Sequence, residues 1–101
     1  MNQNLAETVD KLTILEIKKA HGLPVDQELE AYRLDCQGID SSELAKINQV
    51  CWDLEELVSQ ESDLSKLGAY CLALRYMTSK RIEAKNRISS KLNQPQEQKS
   101  Y

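Results

Sequence analysis

Between Leu44 and Val58 the apolar residues Leu44, Ile47, Cys51, Leu54 and Val58 recur at steps of three and four, a spacing that places them on one seam of a helix. Val50 and Leu57 widen the seam on one flank. So broad a face needs more than one neighbour to cover it, which predicts that this is the central helix of a bundle. No strand-like alternation or internal repeat competes with that reading.

The rest of the chain follows the same periodicity. A first helix is expected from about Asn4 to His21, with Leu5, Val9, Leu12 and Leu15 on one face and Gly22 as its stop. Ile14 and Ile17 lie off that stripe, so this helix should touch two neighbours. Leu23-Pro24 opens a shorter helix to about Gln37, with Leu29, Tyr32 and Cys36 facing inward and Gly38 after it. Asp40-Ser41-Ser42-Glu43 reads as a capping box for the central helix, and the brevity of the turn predicts that the second and third helices are antiparallel neighbours. After a second capping sequence, Gln60-Glu61-Ser62-Asp63, the longest helix is expected from Leu64 to Leu92. Its seam is Leu64, Leu67, Cys71, Leu74, Thr78, Arg81, Lys85, Ile88 and Leu92, which changes from apolar to charged halfway along.

The expected architecture is therefore all-α: an antiparallel bundle of about four helices with a long C-terminal helix, forming one domain over residues 1–92, followed by a polar tail over 93–101. With no Phe and one Trp, the core has to be built from aliphatic side chains. The central helix is too short to cover the last one, so the Thr78–Leu92 half should rest on the first helix or on a second subunit. The N-terminus lacks the features of a signal peptide and no apolar run is long enough to span a bilayer, which predicts a cytoplasmic protein without membrane insertion. Three widely spaced cysteines, Cys36, Cys51 and Cys71, do not form a disulfide framework. Cys51 and Cys71 fall on apolar seams, where they are expected to be buried and inert.

Charge is distributed unevenly. Residues 1–66 carry fourteen acidic and six basic side chains, and residues 67–101 carry two acidic and seven basic. The two parts should attract each other within one chain or between two, and together with the overhanging last helix this predicts a homodimer. Lys80, Arg87 and Lys91 form a short basic stripe without interleaved aromatics on an acidic protein, which argues for a solvated face and against nucleic-acid binding.

No catalytic motif, phosphate loop or metal-ligand spacing is present, so no cofactor or metal is expected, and the lone His21 sits at a helix end where it can interact with the helix dipole. The candidate site is a set of polar residues at inward positions: Glu16 within the apolar stripe of the first helix, Asn48 and Glu55 flanking the central seam beside Trp52, and Arg81 with Lys85 in the last seam. Glu16 is expected to lie close to Arg81 or Lys85, because an unpaired buried charge costs several kcal/mol. The cluster has two readings. One is a structural ion-pair network; the other is a shallow pocket with Arg81 and Lys85 as anion binders and Glu16 or Glu55 as an acid, a base or an Mg²⁺ ligand.

The same residues carry a resemblance. Glu7-x-x-Asp10-Lys11-Leu12-Thr13-Ile14-Leu15-Glu16-Ile17-Lys18, then Asn48-x-x-x-Trp52-Asp53-Leu54-Glu55, then Arg81-x-x-x-Lys85-x-x-Ile88 with the closing Lys99-Ser100-Tyr101, resemble three blocks of a family of short bacterial proteins classed as a domain of unknown function. Members are often encoded near sugar-transfer and surface-polysaccharide genes, which implies an accessory role in glycan assembly. The chain departs from the family pattern at Thr78-Ser79, where an Asn-Asp pair is usual, and at Asn93-Gln94, where Gly-Ser is usual. The functional expectation is a helical interaction or accessory module that works through a protein partner, with an enzyme or binding protein for a phosphorylated or nucleotide-sugar ligand as the alternative.

Overall fold

In the computed structural model, which describes residues 5–92, the chain forms four helices and no strand: α1 (Leu5–Ala20), α2 (Asp26–Asp35), α3 (Ser42–Gln60) and α4 (Leu64–Lys91). The polar tail expected over 93–101, with its Lys99-Ser100-Tyr101 block, lies outside the described residues. The helix stops act as the residue types require. Gly22 adopts φ +83° and Gly38 φ +81°, a conformation that only glycine enters without strain. The chain turns at Gly22 with the Leu23 amide donating to the Lys18 carbonyl at 3.0 Å. Asp63 caps α4 through its carboxylate, which accepts from the Ser65 and Lys66 amides.

The start of α3 differs from the expected capping box. Asp40 accepts from the amide and hydroxyl of Ser42, at 3.0 and 2.7 Å, instead of from Glu43. Glu43 in turn reaches across to Arg87 of α4 and does not fold back to its own helix. An opposite charge on a facing helix has displaced the local reciprocal bond.

The hub of the bundle is α1, not α3. Eight of its residues are buried, and it packs against all three other helices, whereas α2 packs on α1 alone. The expected pairing of α2 with α3 is therefore absent, because the buried face of α2, carried by Leu29, is turned to α1. The core joins Val9, Leu12 and Leu15 of α1 to Leu29, Cys36, Leu44 and Ala84, with Val25, Tyr32, Ile39, Ile47 and Ile88 packed around it. All of this lies where α1 and α2 meet the first half of α3 and the last half of α4.

Helices α3 and α4 form an antiparallel hairpin. One line of at least partly buried residues on α4 runs Leu67, Tyr70, Leu74, Met77, Arg81, Ala84 and Ile88, alternating steps of three and four as in a coiled-coil seam, and burial widens beyond it in the second half of the helix to take in Ile82, Lys85 and Ser89. This line shares Leu67, Leu74, Arg81 and Ile88 with the expected seam, Lys85 of that seam is buried beside it, and Leu64, Cys71 and Thr78 are exposed. Of the cysteines, Cys36 is buried, Cys51 partly buried and Cys71 exposed, so burial of Cys71 is not what the seam delivers. The overhanging half of α4 rests on α1, the intramolecular alternative. From residue 49 to residue 81 no side chain is fully buried, so the far end of the hairpin is an arm without a core of its own. No helix among the described residues is long and apolar enough to cross a membrane.

Because α2 is held through one face on one neighbour, Leu29, only 1% exposed, should be its critical anchor. Leu29→Ala is expected to cost about 2–4 kcal/mol in denaturant unfolding. Hydrogen exchange should report the loss first at the amides of residues 26–36, before those of α3 and α4.

Candidate functional site

The polar centre of the molecule forms around Asp10, whose side chain is only 3% exposed. Helical spacing puts Asp10 on a second inward stripe of α1, Ala6-Asp10-Thr13-Ile17, alongside the apolar one, and all four of these residues are buried. Thr13 closes the stripe on itself: its Oγ1 donates to the Asp10 carbonyl at 2.7 Å. From α3, Asn48 Nδ2 donates to Asp10 Oδ1 at 2.8 Å and to Thr13 Oγ1 at 2.7 Å. From α4, Arg81 grips both carboxylate oxygens, with Nε on Oδ1 at 2.9 Å and Nη2 on Oδ2. One turn away Lys85 Nζ donates to Glu7 Oε1 at 2.8 Å, the Lys85 side chain being 9% exposed.

The electrostatics follow from this arrangement. The Asp10 carboxylate raises the pKa of Arg81 above its ordinary value, chiefly through their hydrogen bonds, so the guanidinium stays charged although burial opposes it. Nearby Cys51 is raised by burial, against which the positive charge of Arg81 works. Burial also raises Cys36, and the adjacent Asp35 adds to the effect.

Of the five residues proposed from sequence, three belong to this centre: Asn48 and Arg81 meet on Asp10, and Lys85 lies beside them on Glu7. Glu16 does not. It shares its azimuth on α1 with Val9 and Leu12 but is exposed although Leu15 and Ile17 on either side of it are buried, and its near partner is Arg33 of α2 at 3.9 Å. The approach of Glu16 to Arg81 or Lys85 that helical phase suggested is absent: those cations meet Asp10 and Glu7, and Glu16 faces Arg33 of α2. Glu55 is likewise at the surface. The acidic partners that sequence reasoning passed over are Asp10 and Glu7. Their signal was present: two carboxylates one turn apart on α1 match two cations one turn apart on α4, in antiparallel order.

The centre is closed at Asp10 and Asn48, whereas Arg81 is 32% and Glu7 47% exposed. Both Asp10 oxygens and both Asn48 amide hydrogens are engaged, and no buried side-chain nitrogen or oxygen among the described residues lacks a partner. An anion entering between Arg81 and Lys85 would have to displace carboxylates already in place. No group of three or more His, Cys, Asp or Glu side chains among the described residues is placed to hold a metal ion. His21 stacks on Trp52 with ring centroids 5.0 Å apart, while Trp52 Nε1 donates to Glu56 at 2.9 Å, so the imidazole ties the end of α1 to α3.

Removing the cation while retaining much of its stem, in Arg81→Met, should destabilise the fold by about 3 kcal/mol, because it leaves Asp10 buried and charged. Adding Asp10→Asn should recover part of the loss in a double-mutant cycle, whereas adding Glu16→Gln should change nothing beyond about 0.5 kcal/mol. Thiol titration of the native protein should label Cys71 rapidly, Cys51 more slowly and Cys36 only on unfolding, in the order of their exposure.

No family model matches this sequence, and no curated protein or solved structure is found similar to it.

Proposed function

We propose that this protein is a non-catalytic helical module that self-associates as a homodimer and acts through a protein partner. The observation that carries this reading is a contrast between the two ends of the molecule. The Asp10 carboxylate and the Asn48 amide are engaged inside the molecule, while five large apolar side chains of the hairpin, Val50, Leu57, Leu64, Leu72 and Tyr76, are exposed, Leu64 by 82% and Leu72 by 67%, against Leu23 and Leu34 elsewhere among the described residues. Solvent-facing apolar side chains concentrated on one arm signal an interaction surface. The resemblance to the bacterial family adds glycan or surface-polysaccharide assembly as the setting in which such an accessory module would work.

The alternative, a site for a phosphorylated or nucleotide-sugar ligand, makes an opposite demand. It needs Arg81 and Lys85 to exchange Asp10 and Glu7 for the ligand's oxygens, losing bonds already made to a buried carboxylate. A thermal-shift panel of sugar nucleotides and inorganic phosphates, with and without Mg²⁺, separates the two. The module reading expects no shift from any member. A binding protein at a hundred times its dissociation constant would gain about 2.7 kcal/mol of stability, and a shift of that size abolished by Arg81→Met would overturn the proposal.

A further inference from the structure

We draw no further inference here: the strongest candidate, the face of the α3–α4 hairpin on which Val50, Leu57, Leu72 and Tyr76 are exposed, carries nothing because Lys80 on it is already paired with Glu83 and nothing in the structure shows what covers it.

Discussion

A carboxylate buried to 3% exposure is tolerable only while its hydrogen bonds are complete, and the Asp10 side chain draws those bonds from two helices besides its own. Asn48 must stand at one height on α3 and Arg81 at one height on α4 for the carboxylate to be satisfied. Sliding either helix by a turn, about 5.4 Å, would strand a charge in a medium that cannot solvate it. The apolar contacts of Val9, Leu12 and Leu44 supply cohesion but discriminate poorly among registers, since one aliphatic side chain can replace another at modest cost. Geometry makes Asp10 the point at which α1, α3 and α4 are aligned, with Lys85 and Glu7 repeating the constraint one turn on.

This division of labour produces a gradient of stability. The aliphatic core and the polar centre occupy the same end of the molecule, where the hub helix α1 bridges the other three. Beyond them the hairpin arm relies on a two-helix seam from Leu67 to Met77 against Leu54 and Val58, none of them fully buried. Two helices alone bury too little surface to offset the entropy of ordering them. An arm of this kind is the part of the fold with the most to gain from a partner.

The sequence disclosed helices more readily than their neighbours. Gly22 and Asp63 marked boundaries correctly because their roles are local: positive φ in one case and a side chain reaching its own following amides in the other. The α3 seam from Leu44 to Val58 was equally legible, since alternating steps of three and four admit only one face. What could not be read was which helix covers which face. Asn48, Arg81 and Lys85 announced themselves as polar residues on apolar seams, but Asp10 sat beside Val9 and Leu12 and did not interrupt their stripe. Glu16 did interrupt it, yet it is exposed and faces Arg33 of α2. Periodicity records azimuth and is silent about the facing helix, so it turned Glu16 inward and passed over Asp10, the carboxylate that meets Arg81.

The imbalance of charge between the two parts of the chain has its resolution in the same geometry. Arg81, Lys85 and Arg87 of the basic segment are matched by Asp10, Glu7 and Glu43 of the acidic one, so much of the attraction expected between the halves is satisfied inside a single chain. The exposed pairs contribute little individually, and the buried one contributes alignment more than net stability. What these contacts leave is the acidity of residues 53–63, which include Asp53, Glu55, Glu56, Glu61 and Asp63 and no basic side chain. Two such tips repel when placed together, so the uncompensated end of the arm restricts how another copy can approach it.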